Sequence, residues 1–397
     1  MASPIVLFGA FDRHNFGDLL FPHVAAALLP GRELVFAGLA ERDLRPFGGH
    51  RVQALHRLAG DGALRGAHLL HVGGEILTCS ARQAALMLLP ADELTPTLSY
   101  LEHRPDEERQ WLRTWLGTAS PMPYVVSRDD LPGVGRIVFD AVGGVALGAL
   151  PPAWRQAVLG RLAAADAVGV RDATTLAQLQ SAGIAAALMP DPAVMVETLF
   201  GAEIRARAAR PPVAQVLAAF PAGCIAVQLS ADFGDDATLA RVAAQLDAAA
   251  ADTGLGTVLF RAGAAPWHDD LGRLAQVAAR MVSPVQLFES LDVWDICALL
   301  AHGRVHAGSS LHGHIVASAF GVPAIGLARP DEAGQPAKLA AYAATWESPD
   351  AGAWPVARLA EGLRAALQAD AALRDAWRRR WVVAYREGFE RLARCLR

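Results

Sequence analysis

The chain has 397 residues, with 36 basic against 40 acidic side chains and a net charge of −4; that length suggests two domains, or three, rather than one core. An apolar fraction of 53% against 19% charged residues excludes a mainly disordered chain, and the charge balance gives no electrostatic ground for nucleic-acid binding. No window of 18 apolar residues runs without a charge, which excludes a bilayer-spanning helix.

The opening run, MASPIVLFGAFDRH, lacks a basic leader and goes straight into a strand-like pattern, which argues against a signal peptide. Cys79, Cys224, Cys297 and Cys395 form neither a disulfide framework nor a CxxC metal pair. A reducing cytoplasm is the expected compartment. Lys338 is the sole lysine; every other fixed positive side chain is an arginine.

In chain order, short apolar runs alternate with helical segments, the pattern of βαβ units and a parallel sheet. Strands are expected at 4–8, 34–37, 67–72, 124–127, 137–140, 167–170 and 186–189, with helices at 18–29, 152–164 and 173–181. A charged stretch closing in a proline pair, RARAARPP at 205–212, breaks the pattern. Alternation then resumes, with strands at 224–229, 256–260, 304–307 and 324–327 and helices at 236–251, 268–279, 294–301 and 313–320. The tail is read as one long helix with Trp377, Trp381, Tyr385, Phe389 and Leu392 along one side. The expected architecture is α/β, with two Rossmann-like doubly wound lobes facing across a cleft: a first lobe over 1–205, a second over 206–370, and a helix over 371–397 packing back on the first lobe. In such folds ligands bind at the carboxyl ends of the strands.

Five strand-end segments carry residues suited to chemistry. Asn15, Gly17 and Asp18 follow the first strand where a helix opens. Backbone N–H groups there would face an anion, although Asn and Asp also serve as plain turn and cap residues. Gly73 and Gly74 follow a central strand and allow close backbone approach, or simply make a turn. Arg171 ends another strand, where its fork suits a phosphate or carboxylate; alternatively it pairs with Asp172 or Asp191 as a structural ion pair. Asp191 follows the next strand. In the second lobe, Ser309, Ser310, His312 and Gly313 link a strand to a helix. A histidine there has a resting pKa suited to proton transfer and lies beside a positive helix end, against the alternative of a structural histidine. His306, His312 and His314 are close in sequence, but strand-to-helix geometry scatters them, so no metal site is expected. Lys338 follows on a short helix, either as an anion binder or as a solvated surface residue.

In this order and spacing the segments resemble the polysaccharide pyruvyl transferase family. The residues carrying the resemblance are Asn15–Asp18, Gly73–Gly74, Val170–Asp172, Asp191–Ala193, Ser309–Gly313 and Gly321–Pro323. The resemblance spans about residues 5–340 with gaps. It has two specific departures: Ser310 stands where many members have arginine, and Glu75 where a third glycine is common. The aspartates around the first segment are also not all matched. The resemblance implies a glycosyltransferase-B-like fold. It also implies transfer of pyruvyl from phosphoenolpyruvate, as co-substrate and without a further cofactor, onto two hydroxyls of a sugar or lipid-linked glycan, forming a cyclic ketal. It places the chain in the cytoplasm or at the inner face of the membrane. Under that reading His312 is the acid–base group, with Asp18 and Asn15 holding the acceptor or activating its hydroxyl. Arg171 and Lys338 are the anion binders, beside Ser309, Ser310, Gly313, Gly17, Gly73, Gly74 and Asp191. Two other functions share the pattern: a glycosyltransferase using a nucleotide-sugar donor, and a non-catalytic glycan-binding relative. The tail, with eight arginines against Asp375, Glu387 and Glu390, either docks on the protein or makes a weak, salt-sensitive contact with an anionic membrane.

Overall fold

The computed structural model describes residues 3–328, 338–347 and 353–397. The chain divides into two compact units, one of residues 1–192 with 384–397 and the other of residues 193–383.

The first unit is built on eight strands: β1 (Ile5–Phe8), β2 (Leu34–Gly38), β3 (Arg42–Asp43), β4 (Arg51–Ala54), β5 (His68–His71), β6 (Ile137–Val142), β7 (Ala167–Val170) and β8 (Ala187–Leu188). Their order is β3-β4-β2-β1-β5-β6-β7-β8, parallel apart from the antiparallel β3–β4 pair. β1 and β6 are buried along their whole length, as strands covered on both faces must be. Helices cover the faces: Phe16–Leu28 follows β1, Pro152–Ala163 precedes β7 and Ala173–Ser181 follows it. Pro152 opens its helix at a position where proline loses no hydrogen bond, and Asp172 caps the next by accepting the Thr175 N–H at 2.7 Å.

The second unit has five parallel strands, β9 (Cys224–Gln228), β10 (Gly256–Phe260), β11 (Val285–Phe288), β12 (Val305–Gly308) and β13 (Ala324–Gly326), in the order β11-β10-β9-β12-β13. Both sheets therefore reverse winding direction beside a central strand, at β1/β5 in the first unit and at β9/β12 in the second. These are the switch points where loops on opposite sides diverge and leave a crevice.

Most expected strands and helices are present within a residue or three. Three differences have physical causes. Residues 124–127 form no strand, because β5 pairs directly with β6 and leaves no edge. Tyr124 instead packs its ring on Phe8 and its hydroxyl meets Asp12 at 3.3 Å. The edge strand β11 escapes the sequence reading because three of its four residues are half-buried and its pattern is weak. Residues 196–206, placed by sequence at the end of the first lobe, form a helix that packs within the second unit. There Phe200 meets the Trp294 ring edge-on at 5.1 Å, and Arg207 just beyond pairs with Asp292 at 3.1 Å and Asp295 at 2.5 Å.

The last helix runs over Ala371–Arg394. Trp381, Tyr385, Phe389, Leu392 and Leu396 are buried, while Arg379, Arg380, Arg386, Arg391 and Arg394 are exposed. Its apolar side is thus used for packing on protein. Among the described residues no helix is long and apolar enough to cross a membrane.

Within the first unit this helix reaches a buried carboxyl group: the Tyr385 hydroxyl donates to Asp140 Oδ2 at 2.7 Å. Burial raises Asp140 to about 7, the tyrosine bond opposes the rise, and Asp191 adds to it. A carboxyl group that holds its proton more tightly in the folded state contributes less stability as pH climbs from the unfolded value near 4 toward 7. Asp140→Asn removes that dependence. In urea titrations the variant is expected to gain on the wild type steadily between pH 4 and pH 7; a pH-independent difference would show that Asp140 ionises normally.

Candidate functional site

Each lobe collects polar side chains at its switch point. In the first, the loop after β1 turns into the helix Phe16–Leu28, with Asn15 at the cap position in extended backbone, φ −135° and ψ 121°. Asp18 lies buried in the first helical turn next to Gly17. The adjacent loop after β5 passes through Gly73 at φ +107° and Gly74 at φ +91°, a region that only glycine enters cheaply. A Cβ on Gly74 would approach Asp18 Oδ1 to 3.2 Å. The structure thus brings Asn15, Gly17, Asp18, Gly73 and Gly74 to one end of the sheet.

Two neighbours in this loop were missed by sequence reasoning. Asp12 is fully buried and accepts the Leu39 and Ala40 N–H groups at 2.7 and 3.1 Å. Arg13 is also buried, its guanidinium 5.3 Å from the Tyr124 ring centre, donating to the Tyr124 hydroxyl and 3.6 Å from Asp12. The run Asp12–Arg13 gave no spacing signal; only the fold shows that both point inward.

Arg171 is where the structure speaks most directly. It is 2% exposed and donates to Asp191 Oδ2 at 2.9 Å and to Glu75 Oε2 at 2.7 Å. Burial opposes its charge, but Glu75, Asp191 and Asp172 together hold the guanidinium well above its ordinary pKa. Of the two sequence readings, the observed pairing with Asp191 is the structural one, and it has a second partner that the sequence did not suggest. Glu75, the residue standing where a third glycine is common, also accepts the Val145 N–H at 2.9 Å. Asp172 is occupied as a helix cap and does not bond Arg171.

In the second lobe the candidate residues gather at the turn after β12. Ser310 caps the helix Leu311–Ala319 by accepting the Gly313 N–H at 3.1 Å, which sets half-buried His312 in the first helical turn. The turn is held by Gln228 at the end of β9, whose Oε1 accepts the Ser310 N–H at 2.8 Å and the Ser309 hydroxyl at 3.3 Å. The Ser309 Oγ in turn accepts the Ser230 N–H at 3.1 Å. Gln228 Nε2 donates to Asp269 Oδ1 at 2.7 Å. Burial lifts the Asp269 carboxyl to about 7, against the Ala262 N–H, the Gln228 amide, Gly263 and the Arg261 charge. Arg261, half-buried at the end of β10, is a further cation that sequence reasoning passed over.

The other two histidines do not converge on His312. His306 is buried, its Nδ1 3.0 Å from Ala226 O; burial, with help from His314, pushes it down to about 3. His314 Nε2 lies 2.7 Å from Glu347 Oε1. Burial lowers its basicity, but the carboxylate outweighs that and raises it above the usual histidine value. Among the described residues no group of three histidine, cysteine or acidic side chains is arranged to hold a metal ion. Lys338 is exposed at the start of the helix Lys338–Trp346.

Two Rossmann-like lobes of this kind define the glycosyltransferase-B-like class, and comparison with solved structures agrees. The trehalose-6-phosphate synthase OtsA superposes with a TM-score of 0.55 at 13% identity, covering 99% of each chain. The S. aureus MnaA–UDP structure superposes with a TM-score of 0.52 at 12% identity, covering 99% of this chain and 98% of that one. At these identities the likeness is one of fold. Within that class, residues 155–331 match the family model described as polysaccharide pyruvyl transferase, the family that the motifs resemble. The matched stretch contains Arg171, Asp191 and the Ser309–Gly313 turn, whereas Asn15–Asp18 and Gly73–Gly74 precede it. No curated protein matches the chain in sequence.

Removing Arg171 leaves buried Asp191 and part-buried Glu75 without their cation. Arg171→Ala is therefore expected to cost about 3–5 kcal/mol of folding stability, measured by chemical denaturation at neutral pH. A loss below about 1 kcal/mol would match an exposed pair instead.

Proposed function

We propose that the protein transfers the pyruvyl group of phosphoenolpyruvate to two hydroxyls of a sugar in a polysaccharide or lipid-linked glycan precursor, forming a cyclic ketal. The observation that carries this is the Ser309–Gly313 turn: a half-buried histidine on the first turn of a helix, fixed at the switch point inside the stretch that matches the family.

The chemistry asks for few parts. His312 protonates the methylene carbon of the enol phosphate, creating an oxocarbenium-like centre that the first sugar hydroxyl attacks. The proton given up by that hydroxyl recharges the imidazole. Phosphate then departs, carrying the proton that the second hydroxyl releases as it closes the ring. Two hydroxyl protons thus end on the new methyl group and on phosphate, with no change of oxidation state and no call for a redox cofactor. The N–H groups opening the helix, with the Ser309 and Ser310 hydroxyls, favour an anion. Arg261 adds a positive charge on the same lobe, and Lys338 is the remaining proposed anion binder.

On the first lobe, Asp18 and Asn15 are assigned to the acceptor sugar, beside the backbone of Gly17, Gly73 and Gly74. Arg171 is held by Glu75 and Asp191, so a donor anion gains it only by displacing Glu75. Membrane contact is left to the exposed arginines of the last helix, a weak attraction that salt screens. A cytoplasmic location fits a donor made in metabolism. Glycosyl transfer from a nucleotide sugar is the second reading; fold alone favours it, through the structure of MnaA with UDP.

His312→Asn keeps a polar side chain but cannot cycle a proton. It is expected to lower kcat for phosphate release from phosphoenolpyruvate by about 10²–10⁴-fold, with donor affinity changed far less. Equal turnover by wild type and variant would remove His312 from the reaction.

A further inference from the structure

Gln228 is 2% exposed, and its side chain bonds Ser309, Ser310 and Asp269. It stands opposite Gly308 in the pairing of β9 with β12, one residue before Ser309. The backbone donor at Ser310 fixes which end of the amide faces the turn. The carbonyl must accept there, so the NH2 group must point to Asp269. Asp269 is itself anchored, its Oδ2 accepting the Ala262 N–H at 2.6 Å at the start of the next loop. The amide therefore has one satisfactory orientation, set from both sides.

The surrounding backbone is shaped to admit it. A Cβ on Gly308 would fall 2.9 Å from Gln228 O, closer than real contacts allow, and 3.0 Å from its Oε1, tighter than most real contacts. Neither the Ser310 N–H nor the Asp269 carboxyl is at a sheet position where another strand would supply the partner. The bonds run in one chain, from Ala262 through Asp269 and Gln228 to Ser310, the residue that caps the helix bearing His312.

We propose that Gln228 is the positioning residue of this site, holding the Ser309–Ser310 turn and through it the imidazole of His312. The proposal rests on the reading of His312 as the proton-transfer group. It adds a residue that touches neither donor nor acceptor and acts by fixing the turn. A displacement of about 1 Å at a reacting group is enough to cost of the order of 10²-fold in rate.

Two substitutions test it. Gln228→Leu keeps the volume and removes all three bonds, whereas Gln228→Glu keeps an acceptor for the Ser310 N–H. Histidine labelled with 13C gives a direct readout that needs no substrate, the His312 signal being assigned by its loss in His312→Asn. With Gln228→Leu the His312 resonance is expected to shift or broaden while the first-lobe histidines stay in place, and Gln228→Glu is expected to lie closer to wild type. In phosphate release, Gln228→Leu is expected to lower kcat about 10–100-fold with a smaller change in KM, and to add no further loss in the His312→Asn background. An unmoved His312 resonance in Gln228→Leu would overturn the proposal, as would kcat losses that multiply in the double variant. Equal perturbation by leucine and glutamate would overturn it too. If the leucine variant does not fold, Gln228→Met, which also lacks the amide, takes its place with the same outcomes. A wild-type protein inert toward phosphoenolpyruvate would count against pyruvyl transfer alone, because the resonance judges Gln228 independently.

Discussion

Strands buried on both faces and paired in parallel are the constraint on which everything else here depends. Parallel neighbours cannot be joined by tight turns, so each crossover carries a helix or a long connection and returns the chain to the same end of the sheet. The carboxyl ends of β1, β5, β9 and β12 therefore gather the loops that hold the candidate residues. At two points the winding reverses, and there the loops diverge. Asn15, Asp18 and the Gly73–Gly74 pair lie at one such point, and Gln228, Ser309 and Ser310 at the other.

Buried charge is the second organising feature. The first lobe encloses Arg171 with Glu75 and Asp191, and Arg13 with Asp12 and Tyr124. Such groups persist only when neutralised by neighbours, because an isolated ion costs too much to desolvate. In the second lobe the Ser309–Gly313 turn lies nearer to solvent, its serines and histidine half-buried, while Gln228, His306 and His314 are buried. The Gln228 amide bonds both serines of that turn.

Much of this architecture is legible from the residues alone. Apolar runs of four to six residues mark β1, β7, β9 and β12 because those strands are buried throughout or nearly so, and Asp172 and Ser310 sit where capping chemistry predicts helix starts. The His312 turn is legible for the same reason: strand, two hydroxyls, helix. What escapes has one of two physical origins. Edge elements such as β11 lack the burial that writes a pattern into sequence. Partnerships across long separations, such as Glu75 with Arg171 or Gln228 with Ser310, leave no local trace, because each residue alone is compatible with a surface role. The departure at Glu75, visible in the sequence, gains meaning only when its carboxylate is seen on Arg171. The serine at 310 gains meaning as a helix cap.

The proposed reaction moves a three-carbon acid from an enol phosphate to a sugar diol. The most direct measurement incubates the protein with phosphoenolpyruvate and a panel of glycan acceptors, and follows phosphate together with acceptor mass. The account predicts phosphate released in equal amount to an acceptor that has gained one pyruvyl ketal, lost again on mild acid treatment. Acceptor mass rising by a sugar unit with a nucleotide-sugar donor, and no phosphate from phosphoenolpyruvate with any acceptor, would contradict it.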